Sequence, residues 1–259
     1  MIAIGIQYNA KLQRLIKQVK RDIDATVMPE VRYYAPEYTQ DAWSDGIQAA
    51  IDALLARWGS PAVRLVAQRM AEDFVRTSLT KSSRDMKRTA GIDVFTGSQQ
   101  MQDYLKAATQ QNVNLIMSIP NQYIDRVGTM VMANMRSGMR PKFIEKALQD
   151  EFGVTQRRAR MIARDQTAKI QGELAEKQQT SAGFEYFEWI DSDDSRVRHR
   201  HRQIAERVTE YGKGVYRWDD LPLSDSGVPI KPGSDYQCRC TSRPVSAREV
   251  ARFQARNNS

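Results

Sequence analysis

Apolar residues recur every three or four positions along the first two thirds of the chain, which is the spacing of amphipathic helices. The first stripe comprises Leu12, Leu15, Ile16, Val19 and Ile23. The second comprises Ile47, Ile51, Leu54, Leu55 and Trp58, and later stripes follow as far as residue 174. This pattern predicts a mostly α N-terminal region over residues 1–182.

Interruptions of the stripes predict where the helices begin and end. The polar segment TKSSRDMKRTAGIDVFTGSQQ, residues 80–100, breaks the periodicity and is predicted to be a loop. Pro120 predicts a helix start, because proline suits the first turn of a helix. Gly153 predicts a helix end, and Thr155 then predicts the N-cap of a longer helix.

The pattern changes after Gly183. The segment FEYFEWI, residues 184–190, is rich in aromatic residues and predicts a strand. Turn residues are dense from residue 191 onward, and Ser246 with Glu249 forms a capping box that predicts a short C-terminal helix. Residues 183–259 are therefore predicted to form a small α+β C-terminal domain with short strands and long loops.

The composition is that of a globular protein with excess positive charge. The chain has 259 residues, 41% of them hydrophobic, and a formal net charge of +8. This charge favours an anionic partner such as nucleic acid, but it could equally serve solubility alone. No secretion signal is recognisable at the N-terminus, and no apolar run is long enough to span a membrane. We expect a protein with no membrane partner, made in a cytoplasm.

Four arginines crowd the first half of the helix predicted to start at Thr155, namely Arg157, Arg158, Arg160 and Arg164. Positive charge near a helix N-terminus is unfavourable for the helix dipole. The arginines could be compensated by DNA phosphates or an acidic partner. Salt bridges to Asp150, Glu151 or Asp165 are the alternative.

Both histidines and both cysteines of the chain lie in two short clusters, His199 with His201 and Cys238 with Cys240. Two cysteines at positions i and i+2 would close a strained ring, so a disulfide is not expected. The four side chains could form a Cys2His2 zinc site. If residues 195–204 are helical, only one histidine faces inward, and the residues then serve ordinary packing.

Enzyme motifs are not recognisable in the sequence. It contains no Gly-rich phosphate loop, no G-x-S-x-G and no H-E-x-x-H. Asp191, Asp193 and Asp194 beside several arginines could grip a divalent cation, as in a nuclease, although exposed ion pairs are the commoner outcome. We expect a protein that is not an enzyme, with a metal-dependent nuclease as the alternative.

The C-terminal third resembles the phage Mu F-like family of head morphogenesis proteins, also called minor head or minor capsid proteins. The family pattern has a Trp before an Asp-rich turn, then Arg-x-Arg-x-x-His, then Pro-Gly before a terminal Cys-Arg-Cys. The matching positions are Trp189, Asp191, Asp194, Arg196, Arg198, His201, Pro232, Gly233, Cys238, Arg239 and Cys240. The resemblance covers residues 155–245 and departs from the pattern at Glu206, where the family often has Gly.

The resemblance implies a structural component of a tailed-phage head. Such a protein is made in the host cytoplasm, acts in prohead assembly at the portal vertex, and is present in several copies per particle. Its implied partners are the portal protein, capsid or scaffold components and, non-specifically, packaged DNA near which it is retained. No cofactor is implied, and a structural zinc remains the alternative. Under this interpretation His201, Cys238 and Cys240 meet in space, with an Asp as a further candidate member. The cluster would hold the long loops either through a metal or by hydrogen bonding, and Arg239 would pair with Asp191 or Asp194.

Overall fold

The computed structural model describes residues 2–35, 43–94 and 96–257. Its fold is 72% helical, with short antiparallel strands confined to the C-terminal part, which confirms the predicted fold class. The helices of the described residues are α1 (Ile2–Tyr34), α2 (Trp43–Trp58), α3 (Pro61–Ala90), α4 (Gln99–Arg136), α5 (Pro141–Ser181), α6 (His199–Glu206) and α7 (Ala247–Asn257). The strands are β1 (Tyr186–Ile190), β2 (Val208–Thr209), β3 (Gly212–Lys213), β4 (Val215–Arg217) and β5 (Thr241–Val245).

Helix α3 continues through the first half of the segment predicted to be a loop. The prediction for residues 80–90 is wrong. Small polar residues occupy buried positions of the helix there, so the sequence does not show the apolar residues every three or four positions that predict a helix. Ser78 and Ser82 are buried on the same face as Met86. The Ser82 hydroxyl donates to the Gln178 side-chain carbonyl at 2.6 Å, which satisfies it in the interior. In the described part of this segment, only residues 91–94 and 96–98 lie outside helices.

The predicted helix boundaries at Pro120 and Thr155 are also wrong. Pro120 lies inside α4, and both Gly153 and Thr155 lie inside α5. An internal glycine costs about 1 kcal/mol and an internal proline about 3 kcal/mol. Burial of apolar residues on both sides, such as Ile119 and Ile124 around Pro120, outweighs these costs.

The chain forms two compact units that do not follow chain order. The helical unit comprises Gly5–Asp73 and Thr109–Ala163, and the mixed unit comprises Met1–Ile4, Phe74–Ala108 and Arg164–Ser259. The helical unit is built from helices alone among its described residues. The mixed unit contains all the described strands. The predicted division into domains at residues 182 and 183 stays a prediction.

The core of the helical unit consists of the predicted apolar stripes. Its fully buried side chains include Leu12, Ile16, Val19, Ile23, Ile47, Ile124, Val127 and Val131. Deep polar groups are satisfied within this unit, since the Tyr8 hydroxyl donates to the Asn112 side-chain carbonyl at 3.0 Å. The stripes therefore predicted this core well.

A three-stranded antiparallel sheet in the order β4-β1-β5 organises the mixed unit. Its central strand β1, predicted from FEYFEWI, is confirmed, and Phe187 and Trp189 are buried on one face. Phe187 stacks on Trp218, with ring centroids 4.0 Å apart. This face forms a core cluster with Ile204, Tyr216, Trp218, Ile230, Cys238 and Cys240.

The predicted capping box is present at the start of α7. The Glu249 carboxylate accepts from the backbone N–H of Ser246 at 2.8 Å, and the Ser246 hydroxyl accepts from the backbone N–H of Glu249 at 3.2 Å.

No helix among residues 2–35, 43–94 and 96–257 combines the length and the apolar character that crossing a membrane requires.

Candidate functional site

His201, Cys238 and Cys240 meet in the core of the mixed unit. Their donor atoms all lie within 4.8 Å of one another, and the three residues are at most 3% exposed. His201 Nδ1 is 3.6 Å from each of the two sulfur atoms. Helix α6 presents the histidine, and the segment leading into β5 presents the cysteines, so residues 37 and 39 positions apart come together.

His199 lies outside this cluster. It is exposed, whereas His201 is buried two positions later. The reason is the helical geometry of α6, in which residues i and i+2 point to different sides. Helix α6 begins at His199 with Arg198 as its N-cap, four residues later than the predicted start at Ser195. The predicted set of four metal ligands is thus reduced to His201, Cys238 and Cys240.

Asp235 orients the His201 ring from the side opposite the sulfurs. Its carboxylate lies 3.2 Å from His201 Nε2 and accepts from Arg198 at 3.0 Å. Arg198 also donates to the backbone carbonyl of Tyr236. The Nε2 atom thus faces the carboxylate, and the Nδ1 atom faces the two sulfur atoms.

The surroundings of the sulfurs favour a thiolate at Cys238. Hydrogen bonds from the Cys240 thiol, from His201, and from the backbone N–H groups of Cys240 and Gly233 lower the pKa of Cys238. The hydrogen bond to Cys238 in turn raises the pKa of His201. The same neighbouring thiolate, together with burial, raises the pKa of Cys240. The Trp189 ring meets the His201 ring edge-on, with centroids 5.5 Å apart, and shields the cluster.

Pro232 and Gly233 bring their turn into backbone contact with α5. Gly233 has a φ of +87°, and a Cβ atom there would come within 2.4 Å of the Ala168 carbonyl oxygen. A Cβ atom at Gly172 would come within 2.1 Å of the Pro232 carbonyl oxygen. Both glycines are therefore required by the close approach, which lets the Gly233 N–H reach the Cys238 sulfur.

Arg239, which stands between the two cysteines in the sequence, pairs with Asp194. Both of its terminal nitrogens contact the Asp194 carboxylate, so the prediction of an Asp194 partner is confirmed. Asp194 also accepts from the Arg196 backbone N–H at 2.8 Å, and Asp191 accepts from the Asp193 N–H at 2.8 Å. These aspartates thus shape a turn and hold Arg239. Among the described residues, the grouping able to hold a metal ion contains His201, Cys238 and Cys240 and none of these aspartates.

The four arginines of α5 lie in the middle of the helix. The prediction that they crowd a helix start is wrong, because α5 begins at Pro141. Arg158 is half-buried, donates to the Ser118 hydroxyl at 3.0 Å, and has its pKa lowered by burial. Arg157, Arg160 and Arg164 are exposed.

Two of the three acidic partners proposed for these arginines, Glu151 and Asp165, are engaged elsewhere. Glu151 accepts from Arg126 at 3.3 Å. Asp165 pairs with Lys169 at 2.9 Å and accepts from the backbone N–H of Gln237 at 3.0 Å. The exposed arginines of α5 thus remain available as candidates for contact with an anionic surface.

Sequence reasoning did not single out Asp235 or Gly172. Asp235 stands three residues before Cys238, and an acid beside a Cys and His group could have suggested an orienting carboxylate. Gly172 lies within a helix, where a glycine is unfavourable by about 1 kcal/mol, so its presence could have signalled a close backbone approach.

Comparison with known proteins places this site within a family region. Residues 125–243 match the family model described as "Phage Mu protein F like protein". A protein of Haemophilus influenzae described as "Uncharacterized protein" is 27% identical over 250 residues, which is 92% of this chain and 52% of the relative. The chain thus spans about half the length of this relative. No solved structure matches the present chain.

The matched range contains the cluster of His201, Cys238 and Cys240 and all the positions of the recognised motif from Trp189 to Cys240. It also includes the whole of α5, against which the Pro232–Gly233 turn packs. The family association points to bacteriophages and to head morphogenesis. Residues 125–243 thus resemble the phage Mu F-like family.

Proposed function

We propose that this chain is a structural minor head protein of a tailed phage, which acts in prohead assembly at the portal vertex. The proposal is carried by one observation, the family match over residues 125–243. In this role the protein is made in the host cytoplasm, enters the particle in several copies, and is retained inside the head near the DNA. Its partners are the portal protein and capsid or scaffold components.

The contacts of the motif residues support a structural role. Trp189 packs in the core, Arg239 is held by Asp194, and the Pro232–Gly233 turn is pressed on α5. His201 and both cysteines are buried, whereas a catalytic group must reach its substrate. Residues with such contacts hold a fold in place, and this favours an architectural function over a metal-dependent nuclease.

An apolar groove on the helical unit supports a protein partner. Leu15, Trp58, Val63 and Val66 line a cavity of about 470 Å³ together with the polar residues Gln18, Arg21, Asp22 and Arg57. Of these lining residues, Val66 is 48% exposed. Exposed apolar side chains beside a groove are typical of protein-binding surfaces, and the portal ring is the proposed occupant.

The positive charge supports residence beside packaged DNA. The net charge is +8, and Arg157, Arg160 and Arg164 are exposed. Arginines on a helix surface can neutralise phosphates without reading sequence. The proposed DNA contact is therefore non-specific and secondary to the protein contacts.

The test is to count this polypeptide by quantitative mass spectrometry in purified, nuclease-washed particles of the phage that encodes it. The portal protein in the same particles supplies the reference. We expect several copies per particle at a fixed ratio to the portal. Absence from mature particles would contradict a virion component.

A pair of phage variants tests the portal contact. Val66→Asp places a charge in the apolar groove and is expected to lower the number of copies per particle at least several-fold. Val228→Asp changes a residue that is 57% exposed in the mixed unit and should leave the number unchanged. Equal incorporation of both variants would exclude the groove as the docking surface.

A further inference from the structure

We propose that His201, Cys238 and Cys240 bind one zinc ion, which fastens the long loop of the mixed unit to α6 and β5. The proposal stands on the geometry of these three residues. It does not depend on the proposed role in the phage head, because a zinc ion could stabilise this domain in any setting.

The distances between the donor atoms fit a tetrahedral zinc site. With Zn–S bonds of about 2.3 Å and Zn–N bonds of about 2.0–2.1 Å, tetrahedral angles place a bound nitrogen and sulfur about 3.6 Å apart. His201 Nδ1 lies 3.6 Å from the Cys238 sulfur and 3.6 Å from the Cys240 sulfur. All three donor atoms could therefore reach one ion with little movement.

The outer contacts are those that a zinc site requires. A zinc-bound histidine commonly donates its second ring N–H to a carboxylate, which fixes the ring and its tautomer. Asp235 occupies that position at 3.2 Å from His201 Nε2, and Arg198 in turn holds the Asp235 carboxylate at 3.0 Å. The cluster thus has an orienting second layer as well as ligands.

Backbone amides surround the Cys238 sulfur in addition. The Cys240 N–H points to it at 3.4 Å, and the Gly233 N–H reaches it from the Pro232–Gly233 turn. Such N–H groups stabilise negative charge on sulfur, which is the form that binds metal. The turn on α5 therefore supports the site as well as the fold.

The donor set selects zinc among the common ions. Two thiolates and an imidazole are soft or intermediate ligands that suit zinc, whereas magnesium and calcium prefer oxygen. Both cysteines are free and buried, and their i, i+2 spacing disfavours a disulfide. Three protein ligands leave the fourth position to a water molecule.

The place of the site explains what the ion would do. Residues 218–240 connect β4 to β5 without a helix or a multi-residue strand and contain an isolated bridge between Leu223 and Pro229. Cys238 lies at the end of this connection, Cys240 precedes β5, and His201 lies on α6. One ion would join these three elements and replace the secondary structure that the connection lacks.

The first experiment measures metal directly on the full chain. The protein is purified under reducing conditions, supplied with zinc chloride, dialysed, and analysed by mass spectrometry for metals. We expect about one tightly held zinc ion per chain, bound by the three protein ligands. X-ray absorption at the zinc edge should show two sulfur neighbours at about 2.3 Å and a nitrogen neighbour at about 2.0 Å.

Variants then identify the ligands. Cys238→Ser and His201→Ala should each lower zinc retention at least tenfold, and His199→Ala, the exposed neighbour on the same helix, should retain the full amount. If a ligand variant fails to fold, cobalt replacement in the wild-type protein provides a second readout. Cobalt bound by thiolates gives an intense sulfur-to-metal absorption band, and cobalt bound at surface carboxylates does not.

Two results would overturn the proposal. One is wild-type protein that holds less than about a tenth of an ion per chain and gives no thiolate band with cobalt. The other is equal loss of zinc from His199→Ala and His201→Ala, which would place the metal on the surface. A negative result in the zinc experiment would not change the expected number of copies per phage particle. The two proposals are therefore tested separately.

Discussion

The helical unit and the mixed unit are stabilised in different ways. In the helical unit, apolar side chains that recur along long helices pack against one another. The stabilisation is therefore distributed over many residues. In the mixed unit, single polar contacts hold irregular segments, as in the pairs Arg239–Asp194, Asp235–His201 and Lys231–Glu176. A fold of the first kind tolerates changes at most positions, and a fold of the second kind depends on particular atoms.

Glycine substitutions in α5 should show this difference most strongly. Gly172→Ala places a methyl group against the Pro232 backbone, so we expect a loss of about 3 kcal/mol in the free energy of unfolding. Gly153→Ala in the same helix meets no atom closer than the Arg157 side chain at 3.6 Å. It should stabilise by up to about 1 kcal/mol, the helix propensity difference.

Chemical denaturation of the full chain measures both values. A Gly172→Ala protein as stable as the wild type would mean that the turn does not rest on α5. The matched Gly153→Ala variant excludes a general sensitivity of this helix to alanine.

Ion pairs in the two units should also differ. Arg239 is 22% exposed and makes a two-point contact with Asp194, whereas Arg32 of the helical unit is 63% exposed and pairs with Glu145. Arg239→Gln should lower the melting temperature clearly, because it removes the two-point contact and leaves Asp194 only its contacts with Arg196. Arg32→Gln should change stability by no more than about 0.5 kcal/mol, as for exposed pairs.

Differential scanning calorimetry distinguishes these outcomes. Equal effects of Arg239→Gln and Arg32→Gln would remove the contrast between the units. An additional Asp194→Asn change should add little to Arg239→Gln, since both remove the same contact.

An effect smaller than that of Gly172→Ala is expected at the capping box of α7. Ser246→Ala should cost about 1 kcal/mol, the usual value of an N-cap. The Ser246 backbone N–H and Arg243 lower the pKa of Glu249 from 4.5 to about 2. The carboxylate therefore stabilises the folded state fully above about pH 4.5, and this contribution is lost as the pH falls towards 2.

The melting temperatures of wild type and Glu249→Gln, compared at about pH 6 and about pH 3, check the sign. The deficit of the variant should be larger at the higher pH. A deficit that grows towards the lower pH would contradict the capping assignment.

How far the sequence predicts this molecule depends on what stabilises each part. The stripes from Leu12 to Ile23 and from Ile47 to Trp58 predicted buried helix faces correctly, because burial follows a simple period. The continuation of α3 past Ser82 was missed, since a buried serine is satisfied by a distant glutamine that no local pattern shows.

The sequence predicted the three clustered residues of the candidate site but not the residues that support them. The scarcity of His and Cys pointed to His201, Cys238 and Cys240, and helical geometry separated His199 from them. Asp235 and Gly172 act through residues far along the chain, and their roles depend on tertiary contacts that spacing does not encode.

The central claim is that the His and Cys cluster holds the mixed unit and not the helical unit. Hydrogen–deuterium exchange of wild type, His201→Ala and His199→Ala tests it most directly. We predict that His201→Ala loses protection in β1, β5 and residues 218–240 and keeps it in residues 5–35 and 109–163, while His199→Ala matches the wild type. Unchanged protection of β1 and β5 in His201→Ala, or an equal loss in both units, would contradict the account.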